Sequence, residues 1–553
     1  MGDDSTLIPL HSQGEAHHQL LRAALGEAVR VADAALGPVR VQTPGGTVFV
    51  EWDAQAPLTP IGQLVFFAQF LSLSGLFESL CASCPVRLSS PNAPVTRDVL
   101  GTLVLGILCG QWRYAHLSAV RFDPVNPPLL GMSKVVSEDS ARRFLAAMDG
   151  EASGRWLRGE LRACYGALLC EPWVLDIDTT IKPIYGHQDG AKKGYNPSKP
   201  GRPSLAYHCY FIGRLRVCLD VEVESGDHAP AKYGHAGLWR ILEELPPAQR
   251  PLFVRGDLAY GEEGFLCQCE ARGQRYLFKL RQSPMVKTLI KKMERTSGWV
   301  DAGQGFEGIE SRLQLKAWSR ERRVIILRRL VKSAASGEGE LPLLEQCEVT
   351  VESTPTHEFM VLVTDFEAPI LGIAQLYRDR ADVEPERSGD SQPKAARRAS
   401  AARQNCFDEL KNQWGWGGFT TKDMSRSQTM ARLVALVYNW WSMFVGLVEP
   451  DKHAEAITSR PQLLHGVGRV TQSGRQTTLT VTSTHEKAAQ TQVRQSWVGR
   501  FFARLSEVAE QLTRQDTWRI ILSRVYFRFL KGHIIGTPYP PDLPPLESAN
   551  CGF

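Results

Sequence analysis

Apolar residues recur with different periods along the chain, and the changes of period divide it. Beyond a polar tail, residues 1–165 carry apolar segments at Leu64–Leu80 and Val99–Cys109 that predict a helical N-terminal domain. Ser137, followed by Glu138 and Asp139, has the form of a helix N-cap with acids in the first turn, leading into Ala141–Met148. A helix-turn-helix DNA reader fits this segment less well than a plain packing helix. From Trp173 the period falls to two, in short runs broken by turn residues. Strands are expected at 173–178, 205–212, 215–223, 251–256 and 275–281, with helices at about 233–245 and 261–272. The order strand, strand, strand, helix, strand, helix, strand is that of an α/β core over 166–300. Val324–Leu330 and Phe359–Val363 read as strands of a β-rich insertion over 301–370. Helical periodicity returns at 371–384 and 405–448, within a region 371–450. Thr477–Ser483 predicts one hairpin ahead of a basic helical stretch at 488–531, in a C-terminal region 451–553.

Composition narrows the class. A chain of 553 residues that is 43% hydrophobic and 22% charged has the material for several buried cores, and two to four domains are expected. The net charge of +5 is mild, but basic residues crowd into Lys182–Arg202, Arg275–Arg295, Arg312–Lys332, Lys394–Arg403 and Arg494–Lys531. Such clusters suit a phosphate backbone, and any one of them serves equally well as a solvated helix face. The twelve cysteines have no framework spacing, and many lie among apolar residues, which favours reduced thiols and a cytoplasmic location. Cys81/Cys84 and Cys267/Cys269 lack a second ligand pair, which argues against structural zinc. The acidic, polar N-terminus does not have the layout of a secretory signal. The apolar run Leu433–Val448 is interrupted by Asn439 and Ser442 and falls short of the roughly 20 residues of a membrane span, so a buried helix and no membrane partner are expected.

Candidate chemistry sits on three elements. In Trp173–Thr180, alternation puts Val174, Asp176 and Asp178 on one strand face, so two carboxylates share a side. A buried carboxylate is costly unless paired or bound to a cation, which makes this a candidate metal site; capping of the following turn explains it about as well. A second apolar strand, Pro251–Gly256, also ends on an acid, Asp257. Neighbouring strand ends in one α/β core lie within a few ångströms, near enough for two carboxylates to share Mg²⁺ or Mn²⁺. Third, Tyr377, Arg380 and Glu384 stand at i, i+3 and i+7 on one helix face. Taken alone, that face reads as a surface ion-pair stripe.

Together these motifs resemble the DDE-type insertion-sequence transposases that carry a Tyr-Arg-Glu-Lys signature on their last catalytic helix. The resemblance spans roughly Val174–Trp441 and is carried by Asp178-Thr179-Thr180, the loop from Tyr185 through Gly190 to Pro200-Gly201-Arg202-Pro203, Arg255-Gly256-Asp257, Tyr276–Arg281, Tyr377–Glu384 and Phe407–Phe419. It implies a ribonuclease H-like mixed sheet with a β insertion before the catalytic Glu. It also implies catalytic and metal-binding roles for Asp178, Asp257 and Glu384 with two Mg²⁺ or Mn²⁺ ions, and a DNA transposase that cuts and joins insertion-sequence ends. Asp176 remains a supporting candidate. Tyr377, Arg380 and Lys411 are expected to orient the DNA backbone, Arg380 by bidentate phosphate contact. Lys192, Lys193, Lys199 and Arg202, in the Gly/Pro-rich loop beside the first acid, suit DNA-end binding. The expected partners are double-stranded terminal inverted repeats and target DNA, held by a homodimer. Trp414 and Trp416 have the faces to stack on a flipped base, but indoles flanked by glycines near a helix more often anchor packing.

One departure from the family pattern bears on activity. Lys411 follows Glu384 after 26 residues, where the signature has six, and removing Pro385–Gln404 restores the spacing. At about 100° per residue, the restored spacing puts Lys411 roughly 40° from Tyr377, whereas a continuous helix puts it roughly 160° away. Pro385 also breaks the hydrogen-bond ladder. The segment reads as a polar insert that loops out. Closing a 20-residue loop costs roughly 2.7 kcal/mol plus a constant, which a fold survives. Misplacing a catalytic group by about 1 Å costs around a hundredfold in rate. The competing expectation is therefore a catalytically impaired DNA-binding remnant. A nuclease that cuts without strand transfer is a second enzymatic alternative on the same core.

Overall fold

The computed structural model describes residues 38–51, 53, 56–196, 199–228, 230–331, 356–380, 406–419, 421–450 and 453–536, together with Gln19. The chain divides into two compact units, Met1–Ala56 and Pro57–Phe553. The described part of the first unit is a hairpin, Val39–Thr43 against Gly46–Val50, with Thr43 opposite Gly46. This hairpin was not foreseen from the sequence, whereas the helices expected from Leu64 onwards are present. Val39, Val41 and Val48 alternate with polar residues around the two-residue turn Pro44-Gly45, a hairpin pattern that the helical segments downstream had masked.

In the second unit the expected strand and helix order is the observed one. Strands β1 (Leu175–Pro183), β2 (Pro203–Ile212) and β3 (Val217–Ser225) are followed by helix α1 (His235–Glu243), strand β4 (Val254–Gly256), helix α2 (Glu263–Ala271) and strand β5 (Tyr276–Lys279). β1 pairs antiparallel with β2, and β2 with β3; on its other side β1 pairs in parallel with β4, and β4 with β5. The result is a mixed α/β sheet with β1 at its centre and the short strand Lys192–Lys193 beside β2.

The strands of the insertion are β6 (Val300–Gly303), β7 (Phe306–Leu313), β8 (Arg322–Val331) and β9 (Thr356–Thr364). They continue the same sheet, because β9 pairs antiparallel with the outer edge of β5. Alternation marks strands but does not say which edge they join, so the sequence shows an insertion where the fold shows an extension. Arg322, almost fully buried on β8, bonds Glu263 Oε2 at 2.5 Å and Glu270 Oε1 at 2.7 Å, tying the extension to α2.

The segments that end the core are α3 (Ile370–Arg378), α4 (Cys406–Asn412) and α5 (Met424–Val448). Among the described residues α5 is the single unbroken helix long and apolar enough to cross a membrane; here it is buried against β3 and the helix Gly150–Tyr165. Of the polar residues along it, Asn439 and Gln428 bond the sheet edge. Asn439 accepts from Cys218 N and donates to Cys218 O, each at 2.8 Å, and Gln428 does the same for Val223 N and Val221 O. Two amide side chains thus replace the missing neighbour of an edge strand. Upstream helices, among them Leu64–Ser74, Thr96–Leu108 and Glu138–Ala146, join this core; Ser137 Oγ caps the last, accepting from Ser140 N at 3.3 Å. The hairpin Val467–Ser473 and Gln476–Thr482 precedes the helices Ala488–Val508 and Arg514–Val525.

Candidate active site

The parallel register of β1 and β4 brings the first two acids together. Leu175, Asp176 and Ile177 lie opposite Val254, Arg255 and Gly256, so the next residues, Asp178 and Asp257, emerge side by side. The expected strand end at residue 178 is corrected: β1 runs on to Pro183 because β2 extends the antiparallel pairing as far as Ser204. Asp178 is therefore mid-strand, at the level where its parallel neighbour stops. This is also where sheet order reverses, with β2 on one side of β1 and β4 on the other, the position at which α/β sheets open a crevice at their carboxyl ends. Gly256 is required for the approach: a Cβ there would stand 2.8 Å from the Tyr260 ring and 3.0 Å from Ile177.

Both carboxylates are held by local backbone. Thr179 N donates to Asp178 Oδ1 at 2.7 Å, and Ala259 N donates to Asp257 Oδ1 at 2.9 Å in the turn that follows β4. Thr179 Oγ1 lies 2.8 Å from His208 Nδ1 and 2.9 Å from the Tyr260 hydroxyl, linking the two acid-bearing segments. Burial pushes His208 down to about 4, so its ring is neutral. Thr179 was legible in the sequence only as part of the Asp178-Thr179-Thr180 motif, and His208 and Tyr260 were given no role there; the one signal for them is a hydroxyl residue beside each acid-bearing strand.

From the other side come Tyr377, near the end of α3, and Arg380, in the turn after it. An Arg380 Nη2 to Asp178 Oδ2 distance of 3.1 Å makes an ion pair in which the acid side chain is 22% exposed and the guanidinium 14%. Burial pushes the Asp178 carboxyl up to about 6; Arg380 opposes that shift, while Asp257 and Asp176 add to it. Burial likewise pushes the Tyr377 phenol up to about 12, with Arg380 opposing and Asp257 adding. Burial works against the charged form of Arg380, yet the surrounding negative groups, Asp178 foremost, raise it above the ordinary arginine value. Asp176 and Arg255 neutralise each other in a buried pair, Nε to Oδ1 2.5 Å. Two carboxylates then face one guanidinium, and such a deficit of positive charge among oxygen ligands is what a hard divalent cation satisfies. Asp178 and Asp257 offer oxygen ligands of the kind the implied metal takes, but among the described residues no group of three or more His, Cys, Asp or Glu side chains is placed to hold an ion.

The remaining candidates fall into three groups. Glu384 and residues 385–404 lie outside the described residues. Lys411 is half-buried on α4, while the charges foremost at Asp178 are Arg380, Asp257 and Asp176. Lys192, Lys193, Lys199 and Arg202 are exposed on the loop between β1 and β2; Lys192 lies 3.5 Å from Asp227, and Arg202 stacks 4.4 Å above the Tyr185 ring. Trp414 and Trp416 are buried, with Trp414 Nε1 bonded to Glu409 and Trp416 Nε1 to Ala431 O, so both are packing anchors.

Fold and site together define an α/β protein that gathers acidic and basic groups at the switch point of a mixed sheet. The chain matches the family described as Transposase DDE domain group 1 over residues 75–384, more than half its length, and belongs to that family of DNA transposases. Among solved structures it is similar to the cryo-EM structure of a piggyBac transposase synaptic complex with hairpin DNA, at 11% identity and a TM-score of 0.31, over 84% of this chain and 85% of that one. That similarity is too low to transfer any geometry. No curated protein matches.

Proposed function

We propose that this transposase cuts and joins insertion-sequence DNA ends at a site built on Asp178 and Asp257, with Glu384 as the third acid, on a ribonuclease H-like core. The single observation that carries the reading is the β1–β4 register, which sets Asp178 beside Asp257 with Arg380 against them. Asp178, Asp257 and Glu384 would hold Mg²⁺ or Mn²⁺, as two ions; when bound, these lower the pKa of water or a 3′-hydroxyl and stabilise the leaving oxygen.

The chain's own groups do the rest. The Asp178 and Asp257 carboxylates are fixed by backbone N–H groups and so arrive oriented. Arg380 offers a guanidinium fork to a phosphate oxygen at the same point, and Tyr377 stays protonated and able to donate. Lys193, Lys199 and Arg202, with Lys192 at the loop base, bind the DNA backbone without reading sequence. Two DNA ends held together call for two copies of the chain, a homodimer. Lys411 joins the DNA-orienting set through bound DNA rather than through the carboxylates.

The test is a Mg²⁺-dependent cleavage assay on the element's terminal repeats. Metal-dependent nicking, followed by joining of the 3′ end to a target duplex, supports the transposase reading. Nicking without joining reduces it to a nuclease. DNA binding with no cleavage at any metal concentration favours the impaired remnant that the insert at 385–404 suggests.

A further inference from the structure

The pair that neutralises itself behind the site has a third connection. Arg255 lies two residues before Asp257, and Asp176 two before Asp178, opposite each other in the parallel register. Arg255 grips Asp176 through two parallel bonds, Nε to Oδ1 at 2.5 Å and Nη2 to Oδ2 at 2.7 Å, with only 3% and 4% of the two side chains exposed. Its remaining nitrogen, Nη1, donates to the carbonyl of Leu376. That carbonyl belongs to the last turn of α3, and the N–H that would reach it by the i to i−4 pattern, Arg380 N, bonds Tyr377 O instead, at 3.2 Å. Leu376 immediately precedes Tyr377 and lies four residues before Arg380.

We propose that Arg255 is a positioning residue for DNA cleavage: it fixes the end of α3 to the two acid-bearing strands and so sets Tyr377 and Arg380 against Asp178 and Asp257. This rests on the cleavage site assigned above. Stability alone is a weak reason for a buried ion pair, since apolar replacements of similar volume are often neutral or stabilising. Geometry is a better one, because one planar fork serves three elements at once, which the point charge of lysine does not do. The backbone packs directly on the pair at Gly213, where an added Cβ would stand 1.5 Å from Asp176 Oδ2. A shift of about 1 Å at the end of α3 is enough to cost about a hundredfold in rate.

Two variants test this, followed by amide hydrogen exchange and by cleavage kinetics with Mg²⁺. Asp176→Leu/Arg255→Met removes both charges together, which spares the fold the cost of a lone buried ion. Arg255→Lys keeps the charge and loses the fork. Both are expected to unfold within a few degrees of wild type, to exchange amides of 371–380 about tenfold faster while α5 is unchanged, and to lose about a hundredfold in kcat with KM for DNA held within about threefold. Wild-type exchange over 371–380 in both variants would overturn the proposal, as would a kcat within threefold of wild type in variants that do loosen α3. An Asp178→Ala control keeps the two readings apart. If Asp178→Ala still cleaves, the site assignment fails, while the exchange at 371–380 still reads whether Arg255 holds the helix.

Discussion

At the scale of residues, the site is a problem of charge burial solved by register. Asp176 and Asp178 were recognisable as same-face acids because strand alternation is strict, and Asp257 because an apolar strand ends on it. Arg255 was harder to see. Only the parallel pairing shows that Asp-x-Asp on one strand meets Arg-x-Asp on the next, so that the inner pair cancels and the outer pair stays acidic. His208 carries a prediction of its own. Fully buried, with its value pushed down to about 4, it stays neutral in the fold while the unfolded chain takes up a proton below about 6.5. The contribution of His208 is therefore complete above pH 6.5 and falls as pH drops from 6.5 towards 4, by at most about 1.4 kcal/mol per pH unit. Asp178, raised to about 6, contributes the opposite slope to both proteins, so the measurement is a difference: urea unfolding should show wild type losing stability relative to His208→Phe as pH falls from 6.5 towards 4, and a constant difference would contradict this. A second prediction concerns Arg322. Arg322→Gln removes the charged partner that Glu263 and Glu270 share; because Glu263 is partly exposed and keeps Ser319, and Glu270 keeps Arg320 and Tyr276, the expected loss is about 2–3 kcal/mol, below the ~3–5 of a fully buried broken pair, measured as a fall in the urea midpoint.

At the scale of elements, sequence pattern and structure part company where partners decide. The core strands and helices follow from period alone, and their ends shift by a few residues. β1 is longer than its apolar run because Thr179–Pro183 is paired rather than buried. The strands at 300–313 were missed because their alternation is weak and Gly303, Gln304 and Gly305 all have positive φ in a turn. Asn439, an interruption in the apolar run of α5, is one of its contacts with β3, as is Gln428. The insert at 385–404 belongs to this scale too. If it separates Glu384 from the rest of its helix, deleting Pro385–Gln404 should raise cleavage by about tenfold or more, since catalytic geometry is what it disturbs. Equal or lower cleavage by the deleted protein, folded as judged by circular dichroism, would reject that account.

At the scale of the whole molecule, one sheet organises the second unit: the insertion lengthens it at the β5 edge, α5 covers its β3 edge, and the acids occupy its switch point. Family membership makes the chain a DNA transposase, and DNA partners follow from that. A backbone-binding loop predicts that affinity for terminal DNA falls steeply with salt. Replacing Lys193, Lys199 and Arg202 together with alanine should flatten the dependence of log K on log salt by about three units, measured by fluorescence anisotropy, with no change in sequence preference. The central claim, that Asp178 and Asp257 form one cation-dependent cleavage site, meets its most direct test in the rate of Mg²⁺-dependent nicking of terminal DNA by wild type, Asp178→Ala and Asp257→Ala. The account predicts that each substitution abolishes nicking while folding and DNA affinity stay at wild-type levels; nicking by either variant at the wild-type rate would contradict it.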